Sequence, residues 1–136
     1  MRVLIVESDT SLAAVWSRHL ERQGAKVTRA RHQADAVFAL DETQVDVIIL
    51  DLVLDSGSAF AIADFASYRQ PASRVVFVTN TSFFSDGSIF RHIPNACAYL
   101  PSSTAPEDLV AVVDHYGPHD MSVSPDRAVL TSPAAG

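Results

Sequence analysis

Five short apolar runs alternate with segments of helical periodicity over the first 116 residues, and nothing else in the chain constrains its fold as tightly. The runs are Val3-Leu4-Ile5-Val6, the weaker Lys26-Val27-Thr28-Arg29-Ala30, Val47-Ile48-Ile49-Leu50, Val75-Val76-Phe77-Val78 and Ala96-Cys97-Ala98-Tyr99-Leu100. The first, third and fourth are apolar at every position, as in strands buried on both faces. Lys26 to Ala30 is basic and alternating, which fits a sheet edge.

Between the runs, Leu12, Val15, Trp16, His19 and Leu20 share one helical face, with Asp9 or Thr10 available as N-cap and Gly24 as the stop. Ala36, Val37 and Leu40 mark a second helix, and Ala59, Ile62, Ala63 and Ala66 a third with a small apolar face. Thr104 with Glu107 reads as a capping box for a last helix carrying Leu109, Val112, Val113 and Tyr116. The helical signal is weakest over residues 82–92, where Ser85, Asp86, Gly87 and Ser88 are poor helix formers. Strict alternation of strand and helix predicts an α/β domain, a doubly wound parallel sheet with helices on both faces.

The pattern stops at Gly117. Residues 1–116 therefore read as one domain and residues 117–136, with Pro118, Pro125 and Pro133, as a C-terminal tail, with no output module after it. The net charge of −6 argues against binding to nucleic acid or an acidic membrane, since either needs clustered Lys and Arg. No apolar run approaches the ~18 residues of a membrane span, and Met1 leads straight into a strand, so a cytoplasmic location is expected. Cys97 is the only cysteine, which excludes an internal disulfide and a cysteine metal cluster; it is expected to pack as a small hydrophobe.

Three strand ends carry the chemistry. Glu7 follows the first run, Asp51 the third and Thr79 the fourth. In an open parallel sheet such ends line one crevice, here an acidic pocket with a hydroxyl at its rim. Other chemistries of α/β folds have no footing. Glu7-Ser8-Asp9-Thr10 stands where a dinucleotide loop would be glycine-rich, there is no Walker sequence, and Asp55-Ser56-Gly57-Ser58 is a turn rather than a nucleophile elbow. The five histidines show no ligand spacing, and the chain is not read as an enzyme.

Glu7 after the first strand, Asp51 after the third, Thr79 after the fourth and Tyr99 in the fifth resemble the receiver domain of two-component response regulators in residue type and interval. The similarity extends from Arg2 to Tyr116 and is clearest at Ile48-Ile49-Leu50-Asp51-Leu52. The resemblance implies a flavodoxin-like fold of strand order 2-1-3-4-5, with Mg²⁺ held by Glu7, Asp51 and the backbone carbonyl of Val53. It implies Asp51 as the acceptor of a phosphoryl group from a histidine kinase or phosphotransfer protein, Thr79 as a hydrogen-bond donor to that group, and Tyr99 as a switch aromatic. A downstream protein partner is implied too, as is a homodimer through the face formed by residues 82–92 and 104–116. Phe83, Phe84, Ile89 and Phe90 would supply a docking patch on that face or fill a core left thin by the alanine-rich third helix.

Two positions depart from the family pattern. Glu7-Ser8 stands where the family has two successive acids, leaving Asp9 either to replace the lost carboxylate at the metal or to cap the first helix. Ser102 stands where it has a lysine. A unit charge pair at ~4 Å is worth about 4 kcal/mol at an effective dielectric near 20, before desolvation, so a phosphoryl group here loses substantial support. The expected function is a stand-alone atypical receiver phosphorylated on Asp51. The alternative is a phosphorylation-independent pseudo-receiver that acts as a protein-binding or dimerisation module.

Overall fold

In the computed structural model, which describes residues 1–80 and 93–118, the strands are β1 (Arg2–Val6), β2 (Lys26–Ala30), β3 (Val47–Asp51), β4 (Arg74–Thr79) and β5 (Ala96–Pro101). They form one parallel sheet of order β2-β1-β3-β4-β5. The described helices are α1 (Thr10–Arg22), α2 (Gln33–Glu42), α3 (Ala59–Arg69) and α4 (Pro106–Tyr116). This is the expected flavodoxin-like order. The expected helix over residues 82–92, with its aromatic patch, and the tail from His119 onward lie outside the described residues.

The central strands are apolar throughout because both faces of the sheet are covered. Leu4, Val6, Ile48, Leu50, Val75 and Phe77 pack with α2 and α3, whereas Val3, Ile5, Val47, Ile49, Val76 and Val78 pack with α1 and α4. Trp16, 1% exposed, is the largest side chain of the second layer. The β4–β5 pairing slips once: Val75 is in register with Ala96 but Val76 with Ala98. Cys97 is half-buried rather than enclosed.

Local signals set most boundaries. Asp9 caps α1, its side chain accepting from the amides of Ser11 (3.0 Å) and Leu12 (3.2 Å). Gly24, at φ +91°, ends it in a Schellman turn in which the Gly24 and Ala25 amides donate to the carbonyls of Glu21 and Leu20. The apolar stripe of α1 is rotated from expectation, with Ala13, Trp16, Ser17 and Leu20 buried and Val15 and His19 only half-buried. The capping box at Thr104 does not form. Pro106 opens α4, Ala105 is the N-cap, and the Thr104 hydroxyl donates instead to the Pro101 carbonyl at 2.6 Å. Proline has no amide to cap and its φ suits a helix start, so it displaces the start past Thr104.

Candidate functional site

The carboxyl ends of β1, β3 and β4 lie side by side. Val6 is in register with Leu50 and Asp51 with Val78, so Glu7, Asp51 and Thr79 each stand within one residue of a shared level at the rim of the sheet. Glu7 is 4% exposed and Thr79 1% exposed, while Asp51 is partly open to solvent. Three of the residues singled out in the sequence are thus brought together, Asp51 being the most accessible of them.

Each side chain is held differently. The Val53 amide donates to Asp51 Oδ1 at 2.9 Å, fixing one carboxylate oxygen by the turn that follows β3. Glu7 Oε2 accepts from the Asp9 amide at 3.1 Å, but Glu7 Oε1 is buried with no hydrogen-bond partner among the described residues. Burial, followed by a hydrogen bond to the Asp51 carboxylate that only a protonated Glu7 can make, pushes the Glu7 pKa up to about 8. Two ionised carboxylates cannot hydrogen-bond each other, so the orphaned oxygen calls for a proton or a cation between them.

A divalent cation fits this demand. Glu7, Asp51 and the carbonyl of Val53, a residue 61% exposed, offer the hard oxygen ligands that Mg²⁺ prefers. The carboxylate set is thin, because no group of three His, Cys, Asp or Glu suited to a metal exists among the described residues. Asp9 does not supply the third in this structure; its side chain is engaged in capping α1.

Without metal, the raised Glu7 pKa gives a signed prediction. The folded state binds the Glu7 proton more tightly than the unfolded chain. Its contribution to stability is therefore complete below the ordinary value of 4.5 and is lost as pH rises through about 8. The slope in that window is about 1.4 kcal/mol per pH unit for one proton. Urea melts in EDTA across this range should show Glu7→Gln losing less stability with pH than the parent; parallel curves would contradict the assignment.

Ser8, at the missing second acid, has a role that sequence reasoning did not reach. Its hydroxyl donates to the Arg31 carbonyl at 2.8 Å and accepts from the Asp55 amide at 3.0 Å, tying the β2–α2 loop to the β3–α3 loop. Gln33 reinforces the tie, its amide reaching the Ser56 carbonyl at 3.3 Å and its side-chain oxygen accepting from the Ser58 amide at 2.9 Å. The partners of Ser8 lie 23 and 47 residues away, and no local pattern announces them.

The remaining site residues sit on β5 and just beyond it. Tyr99 is half-buried, in register with Phe77, and packs against the layer on the α2/α3 side. The Ser102 amide donates to the Thr79 carbonyl at 2.8 Å, which joins the position lacking the lysine directly to the end of β4. A cavity of about 380 Å³ lined by Thr43, Val45, Gln70 and Ser73 lies at the opposite end of the strands, and its polar groups are largely committed to internal hydrogen bonds.

Comparison with known proteins agrees with this geometry. The response regulator receiver domain family matches residues 3–114. A receiver domain protein from Methanospirillum hungatei JF-1 superposes with a TM-score of 0.76 at 22% identity, covering 84% of this chain and 90% of that one. The non-phosphorylated HemR receiver domain from Leptospira biflexa superposes with a TM-score of 0.76 at 20% identity, covering 88% and 98%. A response regulator from Burkholderia pseudomallei, solved with a phosphorylated aspartic acid, calcium ion and citrate, gives 0.74 at 21% identity, covering 93% and 72%. The DNA-binding transcriptional regulator NtrC of Proteus hauseri is 23% identical over 112 residues, which are 82% of this chain and 24% of that regulator. The chain thus spans about a quarter of that relative's length. No helix among the described residues is long and apolar enough to cross a membrane. With the sheet order, the strand-end residues and the matched span in agreement, this chain belongs to the receiver domain family of two-component response regulators.

Proposed function

We propose that Asp51 accepts a phosphoryl group from a histidine kinase or phosphotransfer protein and that the domain signals the change through protein contacts. The observation that carries this reading is the orphaned, buried Glu7 Oε1 beside a partly exposed Asp51 whose Oδ1 accepts from the Val53 amide. A carboxylate oxygen kept buried without a partner costs free energy, and a cation held by Glu7 and Asp51 would offset that cost.

In the transfer, an Asp51 oxygen attacks phosphorus. The bond from phosphorus to the donor's nitrogen, or to the carboxyl oxygen of an acyl phosphate, breaks, and the leaving group keeps the electron pair. Mg²⁺ bound by Glu7, Asp51 and the Val53 carbonyl would offset the charge that builds up between carboxylate and phosphate. The Val53 amide orients the attacking carboxylate. The Thr79 hydroxyl donates a hydrogen bond to the acquired phosphoryl oxygens. Tyr99 couples the filled site to the surface on the β5 side.

The test is the intact mass after incubation with acetyl phosphate, with and without Mg²⁺, beside Asp51→Asn. A Mg²⁺-dependent gain of one phosphoryl group, absent from the variant, is expected. Ser102→Lys is expected to raise the phosphorylated fraction by restoring a cation next to Thr79; an unchanged fraction in a protein that does phosphorylate would refute the charge argument. Ser8 and Ser102 favour a second reading, a pseudo-receiver regulated by partner occupancy. If the parent takes up no phosphoryl group from acetyl phosphate or from kinases, that reading stands.

A further inference from the structure

Half of the chain's cations lie in one short stretch that the pocket does not use. Arg18, Arg22, Lys26, Arg29 and Arg31 are five of its ten Lys and Arg, and Glu21 is the only acid among them. This stretch carries +4 in a chain of net −6, so the remainder carries −10. All five side chains are exposed, and none forms an ion pair with a described residue.

The fold places these charges on α1 and on β2, the outermost strand of the sheet. The Lys26 amide and the Ala30 carbonyl bond inward, to the Met1 carbonyl and the Glu7 amide. Backbone groups alternate in direction along a strand, so Val27 and Arg29 turn their N–H and C=O groups toward the open edge. Arg29 and Arg31 also line a cavity of about 320 Å³, together with Glu7, Thr10 and Asp35, at the carboxyl end of this edge.

We propose that the β2 edge is a docking site for an acidic, extended polypeptide segment of a partner protein, which adds to the sheet as a sixth strand. Its backbone pairs with Val27 and Arg29, and its carboxylates meet the exposed guanidinium and ammonium groups of this edge. Charge complementarity selects this occupant. Edge-to-edge pairing of two copies would set Lys26 and Arg29 of one against the same cations of the other, which disfavours self-association and leaves an acidic strand as the matching partner. The strand edge at Val27 and Arg29 contains none of the residues assigned to phosphoryl transfer, although the cavity beyond it is lined by Glu7.

The probe is a fluorescein-labelled octapeptide of alternating Glu and Val, followed by anisotropy and by amide hydrogen exchange of the full chain. Binding is expected to weaken with salt and to fall about tenfold or more in the double variant Lys26→Glu/Arg29→Glu, since each substitution turns an attraction at the interface into a repulsion. Arg18→Glu/Arg22→Glu on the exposed face of α1 repeats the test away from the strand. Exchange at the Val27 and Arg29 amides should slow when the peptide binds, and Asp51→Asn should bind as the parent does. No binding, binding indifferent to charge reversal, or binding that leaves those two amides unprotected would overturn the proposal. So would tighter binding of an oligothymidylate of equal charge, or self-association in sedimentation that Lys26→Glu/Arg29→Glu abolishes.

Discussion

Replacing Gln70 by alanine is expected to lower stability by about 3 kcal/mol and the melting temperature by roughly 10 °C. This half-buried amide makes three of its four possible side-chain hydrogen bonds, all to the end of α2 and the chain that follows it. Its oxygen accepts from the Val45 amide at 2.7 Å, and its nitrogen donates to the carbonyls of Leu40 at 2.7 Å and Thr43 at 2.6 Å. The Leu40 carbonyl lies in the last turn of α2, whose end carries no basic side chain, so Gln70 answers groups the helix cannot pair itself. Val45 is 4% exposed and its amide has little access to water. Truncation leaves that donor and the two acceptors to be satisfied at the cost of local opening.

Gln70→Glu separates the two halves of this bond set. The carboxylate still accepts from Val45 but faces two carbonyl oxygens, so the variant should be weaker than the parent at neutral pH. It should recover in acid, because the introduced carboxyl group donates again once protonated and its folded-state pKa is raised. Urea melts of both variants, beside Tyr68→Ala as an exposed control (83%), decide the matter. A loss for Gln70→Ala no larger than the few tenths of a kcal/mol typical of surface substitutions would sink the argument.

Gly57→Ala is expected to cost about 2 to 3 kcal/mol, from a disfavoured backbone conformation and a steric clash acting together. Gly57 has φ +93°, and a Cβ there would lie 2.3 Å from the Cβ of Gln33, an atom fixed to the start of α2. Relief requires the β2–α2 and β3–α3 loops to part, which strains the Gln33 bonds to Ser56 and Ser58 and the Ser8 tether. Gly24→Ala supplies the comparison: φ is +91° but nothing lies within 4 Å, so only the conformational cost of about 1 kcal/mol remains. Equal losses for the two variants, measured by urea denaturation, would show that the Gln33 contact carries no energy. The same loop holds Val53, so Gly57→Ala should also slow any uptake of a phosphoryl group by Asp51.

Much of this architecture could be read from the chain because burial on both faces writes itself as unbroken apolar runs. The boundaries of α1 and β2 coincide with expectation, and Ala59, Ile62, Ala63 and Ala66 are all buried as their spacing requires. Periodicity fails where a choice depends on something distant. The stripe of α1 turned toward Ala13 and Ser17 because packing against α4 and the sheet, not the count of large residues, sets its rotation. Pro106 overruled the Thr104 capping box through its own backbone. Within the candidate site, Glu7, Asp51 and Thr79 were visible as strand ends. The hydroxyl of Ser8, the amide of Gln70 and the contact of Gly57 with Gln33 were not, since each joins loops far apart in sequence. The overall charge of −6 concealed the basic edge, because a sum over the chain carries no information about position.

The slip between β4 and β5 decides which way an aromatic ring points. Side chains along a strand alternate between faces, and an extra residue reverses the phase of everything after it. Ala96 packs on the α2/α3 side, then Cys97 and Ala98 both turn to the α1/α4 side, and Tyr99 returns to the first. In an unslipped ladder Tyr99 would stand opposite Val78, toward α1. The surplus residue at Cys97 thus acts as a parity bit for β5: were Cys97 to pair with Val76 instead of bulging, the ring of Tyr99 would turn to the α1/α4 side with the composition of the strand unchanged.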